Sequence, residues 1–301
     1  MAINRADIAK QLLPGLNAIF GLEYAAVDEE DRPLFDMENS DRAFEEEVLM
    51  TGFGAAPTKA EGAAVVYDTA QESWTSRYTA ETVALAFAVT EEAMEDNLYD
   101  TFAKVRARAL ARAMAQTKQV KAANVYNNGF TAGYVGGDGV VLFSAAHPTV
   151  GDGNQSNLET AADLSEGTLE TAIINTHKIK DDRGIFIGAS PVSLHVAPDG
   201  QFDADRILAS PGRPNTDLND INAVRNLGLI PNGYYVNRRF TDADAWFLRN
   251  DCPNGTKMFM RAPLATKMEP DFDTGNLRFK ARERYSFGWS DWRQWRGNKG
   301  T

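Results

Sequence analysis

Glu91-Glu92-Ala93-Met94-Glu95-Asp96 opens a stretch that continues without glycine or proline to Asn128-Gly129. Apolar residues recur within it at Met94, Leu98, Phe102, Val105, Ala109, Ala113 and Val120, a three-to-four spacing that predicts one face of an α-helix over about residues 90–128. Thr90 is placed to cap the first turn, and Gly129 stands where a helix commonly ends. The first turns are acidic (Glu91, Glu92, Glu95, Asp96, Asp100), and beyond them the charge is only basic: Lys104, Arg106, Arg108, Arg112, Lys118 and Lys121. That polarity suits the helix macrodipole at both ends. At a rise of about 1.5 Å per residue the helix spans roughly 50 Å, unless it kinks near Asn97 or Asp100 or divides into two helices in series. A rod of that length needs strands or neighbouring molecules along its side. No acid alternates with its cations, so the stripe reads either as a solvated face or as a surface towards nucleic acid.

Upstream, residues 4–24 read as a helix with an apolar stripe at Ile8, Leu12, Leu13, Leu16, Ile19 and Phe20, kinked or restarted at Pro14. Between Asp28 and Glu47 ten acidic residues face only Arg32 and Arg42. Asp28, Glu29, Glu30, Asp31, Glu45, Glu46 and Glu47 make this an acidic arm, extended when alone, with a neighbouring copy the simplest thing to hold it. A loop rich in glycine, alanine and proline follows from Thr51 to Gly62. Beyond it Trp74, Ser76 and Tyr78, then Val83, Leu85, Phe87 and Val89, alternate with period two. The expectation is a two-stranded ribbon around a flexible tip that must lie on another surface.

Downstream, glycine-rich turns lead to Leu142-Phe143-Ser144-Ala145-Ala146-His147-Pro148. Residues 163–236 then mix helices around Leu169–Ile179 and Asp199–Leu208 with short strands near Ile185–Ile187, Leu194–Val196 and Tyr234–Val236, and Trp246–Leu248 follows as a further strand. Late in the chain Leu277, Phe279, Ala281, Tyr285, Phe287 and Trp289 occupy one face of a strand, and Arg278, Lys280, Arg282 and Arg284 the other. Such a basic row repels itself unless acid or phosphate lies opposite. The acidic arm, of the same or a neighbouring subunit, is the available complement.

The composition excludes several classes. No apolar run approaches a membrane span, and the opening residues lack the layout of a signal peptide. One cysteine, Cys252, rules out an internal disulfide framework, and three histidines leave little for a zinc site. The net charge of −11 argues against a protein that coats nucleic acid all over its surface. His147, His177 and His195 fall in different elements and read as structural; Cys252 has no activating neighbour. Gly133–Gly139 is glycine-rich without a following lysine, a turn and not a phosphate cradle. Asp199, Asp203 and Asp205, or Asp217 and Asp220, are the acids that could take a cation, as in a metal-dependent α+β enzyme, but they read first as solvated cap and loop carboxylates. Nothing supports catalysis or a cofactor.

The order of elements is similar to that of a known family. Leu142-Phe-Ser-Ala-Ala-His147-Pro148, Leu194-His-Val-Ala-Pro198 and Phe287-Gly-Trp289-Ser-Asp-Trp292-Arg293, in this sequence, resemble the major capsid protein of tailed bacteriophages, within it the Mu-type major head subunit. The resemblance implies an α+β, Hong Kong 97-type fold: an N-terminal arm (1–47), an extended loop lying on the adjacent subunit (48–90), a peripheral domain (90–154 and 251–301) with the spine helix, and an axial domain (155–250). It implies pentamers and hexamers of this chain in an icosahedral shell around packaged double-stranded DNA, assembled in the bacterial host cytoplasm, with portal, scaffold and decoration proteins as partners and no membrane. The axial loop with Pro211, Arg213, Pro214, Asp217 and Asp220 becomes the candidate for the capsomer centre. A scaffolding segment at the N-terminus is expected to be separate or absent. The same fold in an encapsulin-type compartment is the alternative.

Overall fold

The computed structural model describes residues 16–90, 92–93, 99–213, 220–271 and 273–301. The spine helix runs over Tyr99–Asn127, about 43 Å at 1.5 Å per residue. Before it, residues 92–93 are helical and Thr90 Oγ1 accepts from the Ala93 N–H at 3.4 Å. The expected turn at Met94–Leu98, with Glu91, lies outside the described residues. The buried face is not the one the large apolar residues mark. Ala103, Ala107, Leu110, Ala111, Met114, Ala115, Ala122, Ala123 and Tyr126 are buried, whereas Val105 is 55% exposed and Val120 36%. Spacing alone cannot choose between two stripes when one is mostly alanine. The alanine stripe wins because small side chains bring the helix close to the strands beneath it. Gly129, two residues past the helix, is required by packing: a Cβ there would stand 2.7 Å from the Phe143 ring.

A four-stranded sheet carries the spine, in the order Asp36–Asn39, Thr256–Pro270, Leu277–Trp289, Glu81–Val89. The first pair is parallel and the other two antiparallel. Leu277, Phe279, Ala281 and Tyr285 are buried on the front face as the alternation predicts. Helical residues 16–25 also pack there, through Leu16 and Phe20, with the Phe20 and Phe279 rings 6.1 Å apart. The earlier part of the predicted 4–24 helix lies outside the described residues. One front-face position breaks the pattern: Glu283 is 1% exposed on a face otherwise apolar along this strand.

The ribbon is Phe44–Met50 paired antiparallel with Glu72–Thr79. It therefore begins before residue 48 and closes before residue 90, because Glu81–Val89 leaves it to become the edge of the four-stranded sheet. Nor does its base need a foreign surface. Tyr78 packs on Phe259 at 4.8 Å and its hydroxyl lies 2.6 Å from Ser290 Oγ, while Trp74 Nε1 donates to the Ser290 carbonyl at 2.9 Å.

A second sheet has the order Trp295–Asn298, Trp246–Asn250, Pro191–Val196, Tyr234–Val236. Helix Glu166–His177, capped by Ser165 and Thr168 in a capping box, packs with helix Gln201–Ala209 around Leu169, Ile173, Leu194, Ala204, Ile207, Trp246 and Leu248. The strand Trp295–Asn298 thus joins residues expected to belong elsewhere, and the 251–301 segment is shared between the two sheets. Ile185–Ile187 forms no sheet strand; it is one side of a tight hairpin with a single bridge, Lys180 to Phe186, and its side chains are exposed. Tyr126, Phe143, Phe247, Phe240 and Trp295 fill the core between the sheets, and Phe143 fits there because Gly129 and Gly297 have no Cβ to meet it.

Candidate interfaces for assembly and nucleic acid

The acidic arm is held by its own chain. Leu34 and Phe35 insert into the central core, and Asp36–Asn39 pairs in parallel with Lys257–Met260. All seven of the singled-out acids have partners: Asp28 takes Arg238 and Glu30 takes Arg239 at 2.6 Å, Glu29 takes Arg32, and Asp31 faces Lys118 at 3.5 Å. Glu45 accepts from Ser40 Oγ at 2.7 Å, Glu46 faces Arg77 at 3.8 Å, and Glu47 is bound by Lys257. Only Asp31 of these acids is buried; the arm is held by the insertion of Leu34 and Phe35 and by the strand pairing, and that placement brings the acids within reach of counter-ions.

Three of the six cations of the spine stripe are paired within the chain. Arg112 binds Glu23, Lys118 binds Asp31 and Lys121 binds Glu81. The cations lack alternating acids along the helix, but the fold supplies them from other elements. Lys104 and Arg106 lie on the same helix with further contacts of their own, and Arg108 is exposed.

The expected pairing of the acidic arm with Arg278, Lys280, Arg282 and Arg284 does not occur within the chain. Arg278 binds Asp271 instead, and Lys280, Arg282 and Arg284 form no ion pair among the described residues. Register explains this: the arm strand lies on the far edge of the sheet, one whole strand away from the basic row.

In the axial loop, Arg213 Nε donates to Glu166 at 2.8 Å and its N–H to the Asp220 carbonyl at 2.9 Å; Gly212 bridges to Ile221. Pro211 is exposed; Pro214 and Asp217 lie outside the described residues. Phe202, Ile221 and Leu227 are exposed large apolar residues of the same unit.

The ribbon tip, residues 51–71, carries exposed Phe53, Val65, Val66 and Tyr67, the last 94% exposed. Asp68 ties it down: both its oxygens take Arg183 Nη2, at 3.0 and 3.2 Å, and one accepts the Gly54 N–H at 2.7 Å. The Gly54 and Thr69 backbone N–H groups, more than Arg183, hold its carboxyl below the usual carboxylate range. Sequence reasoning missed this pair; nothing local to Arg183 signals a partner more than a hundred residues away.

The three histidines each have partners within the chain. His147 Nδ1 lies 2.6 Å from Asp138 and Nε2 3.0 Å from Asn157, with Trp292 stacked on its ring at 4.5 Å. Asn157 Nδ2 in turn donates to the Leu142 and Trp295 carbonyls, so it fastens the stretch after the spine to the terminal tryptophans. Burial drives the His195 pKa down to about 3 and pushes the Cys252 thiol up to about 12. His177 Nδ1 reaches the Ala189 carbonyl. Asp203 pairs with Arg206 and Asp205 accepts from Tyr234, and no group of acids, histidines or cysteines that could hold a metal exists among the described residues. Among them, too, no helix is long and apolar enough to cross a membrane.

The profile of the family described as phage capsid protein matches residues 71–297. The chain belongs to the phage capsid protein family. Solved shells share its fold. The capsid of the native GTA particle aligns at a TM-score of 0.56 with 14% identity over 92% of both chains. The chain from Mycobacterium phage Adephagia aligns at 0.53 with 13% identity over 100% of this chain and 98% of that one. The virus-like particle from Pyrococcus furiosus aligns at 0.52 with 9% identity over 95% and 98%. No curated protein matches the chain. This capsid protein is thus an α+β chain of the Hong Kong 97-type fold, a structural shell component of a virion.

Proposed function

We propose that this chain is the major head subunit of a tailed phage, that its copies form the pentamers and hexamers of an icosahedral shell, and that the shell encloses double-stranded DNA. The observation that carries the reading is the ribbon tip: residues 51–71 form no strand, bury almost nothing, and present Phe53, Val65, Val66 and Tyr67 to solvent. Apolar side chains in such a run are left exposed by a single subunit and covered in an assembly. Exposed Phe202, Ile221 and Leu227 beside the Arg213 loop give the axial unit a second apolar patch, suited to the contacts around the capsomer centre. Portal, scaffold and decoration proteins, and assembly in the bacterial cytoplasm, belong to this reading. The Mu-type placement rests on the three quoted stretches.

An encapsulin-type shell around protein cargo is the second reading; a virus-like particle, that from Pyrococcus furiosus, is built on the same fold. Electron microscopy of purified particles, with nuclease-protected DNA quantified on the same sample, separates them. Closed shells holding DNA are expected; shells holding only protein cargo support the second reading, and small oligomers under all assembly conditions refute both.

A further inference from the structure

The front face of the four-stranded sheet is covered by the spine and by residues 16–25; its back face is not. Register places Arg278, Lys280, Arg282 and Arg284 on that back face, alternate residues about 6.7 Å apart along one strand. At one end the chain's own ribbon covers it, with Tyr78 over Phe259 and Gly288. Past that end it lies open. On the neighbouring edge strand the residues opposite the cations are Ala88, Ala86, Ala84 and Thr82, all exposed. On this edge-strand side nothing longer than a Cβ or a threonine side chain stands beside the cation row; on the other side its cross-strand neighbours are Ala262, Ala265, Lys267 and Glu269, so a broad rod has an open approach from the edge.

The charges on this face do not balance. Lys267 lies directly opposite Lys280, a like-charge cross-strand pair that disfavours the sheet. Glu269 is bound by Lys267 and Asp271 by Arg278, which leaves Lys280, Arg282 and Arg284 without an ion pair among the described residues, and Arg284 Nε is buried with no acceptor. The arm of a second copy is a poor complement, because nine of its ten acids are already engaged in their own chain, with Asp41 alone unpaired among the described residues. We infer that this row and its alanine lane form the surface that takes the phosphodiester backbone of duplex DNA, in place of the spine stripe. The contact is with phosphate and carries no sequence preference. The inference rests on the reading above that the shell encloses DNA.

The test uses full-length, unassembled subunits and a labelled duplex of random sequence, titrated by fluorescence anisotropy across a salt series. The Lys280→Gln/Arg282→Gln/Arg284→Gln variant should lower the slope of log affinity against log salt by about one per cation removed. Arg112→Gln/Lys121→Gln on the spine should leave it nearly unchanged. Lys280 and Arg282 are exposed and Arg284 is half-buried with its Nε lacking an acceptor, so the triple variant should unfold no earlier than the parent; if it does, Arg282→Gln alone reads the slope. An unchanged slope overturns the inference, as does absence of binding by the parent. A triple variant that keeps its slope but no longer forms shells would overturn it too, by showing the row to be a contact between subunits. Shell formation is scored separately by electron microscopy, so failure of the parent to assemble counts against the head-subunit reading and leaves the slope comparison standing.

Discussion

The Tyr126 hydroxyl, on the last turn of the spine, donates to the Leu34 carbonyl of the arm at 2.9 Å. The same carbonyl accepts from Thr256 Oγ1 at 2.6 Å, so spine, arm and the longest strand meet at one oxygen. Tyr126→Phe should cost about 1 kcal/mol, the net worth of one buried hydrogen bond, because Thr256 still satisfies Leu34. Adding Thr256→Val strands the carbonyl, and the pair should lose more than the sum of the singles. Chemical denaturation of the four proteins measures the coupling; strict additivity would mean the two donors act independently.

Asp68 is predicted to govern the ribbon tip and not the fold. Asp68→Ala removes the Arg183 contact and the acceptor for Gly54. Limited trypsinolysis at exposed Lys59 should speed up several-fold while the thermal midpoint stays put, since local opening and global unfolding are separate events. Equal cleavage rates would show that the tip is held by something else.

His195 is buried, stacked at 5.2 Å on Tyr235 and 2.9 Å from Ser193 Oγ, and it stays neutral in the fold down to about pH 3. The unfolded chain protonates it below its ordinary value of about 6.5. Its contribution is therefore complete above pH 6.5 and is lost as pH falls towards 3, at up to about 1.4 kcal/mol per pH unit. His195→Gln, which keeps a polar atom near Ser193, should flatten that part of the profile. Parallel stability curves for the two proteins between pH 4 and 7, each fixed by titration, would contradict the assignment.

Glu283 carries the opposite sign. Burial raises its carboxyl above the ordinary range, only partly countered by the Tyr24 hydroxyl that donates to it at 3.1 Å. The folded chain holds this proton to higher pH than the unfolded one, so stability from this group is present at low pH and falls as pH rises through the raised value. Glu283→Gln retains an acceptor for Tyr24. Its thermal midpoint should exceed the parent's at pH 7 and approach it at pH 4; a lower midpoint at pH 7 would show that the charge is matched by Lys118.

Period-two and period-3.6 patterns made much of the fold legible. The strand Leu277–Trp289, the helix Glu166–His177 and the spine are local consequences of spacing, caps and breakers, and the order of elements was enough to indicate the capsid resemblance. The spine's inner face was not legible, because an alanine stripe and a valine stripe have the same period and only the approach of the sheet selects the former. Ile185–Ile187 has strand-forming residues, yet a four-residue turn with Gly184 leaves room for a single bridge.

Charge shows the division most plainly. The amino-acid sequence by itself determined that an acidic segment, a basic helix and a basic strand exist, since side-chain identity and chain order suffice for that. Which of them meet was decided only in three dimensions. Parallel pairing of Asp36–Asn39 with Lys257–Met260 puts the arm at one edge of the sheet, and its acids reach Lys118, Arg238, Arg239 and Lys257 before the row Lys280, Arg282 and Arg284 at the other side. Coulomb attraction falls with distance and is screened within about 10 Å at 0.1 M salt. The arm strand pairs with Lys257–Met260 while the row lies opposite Ala262–Glu269, so the two are displaced along the sheet as well as across it, and strand order and register, which no local spacing encodes, leave that row open.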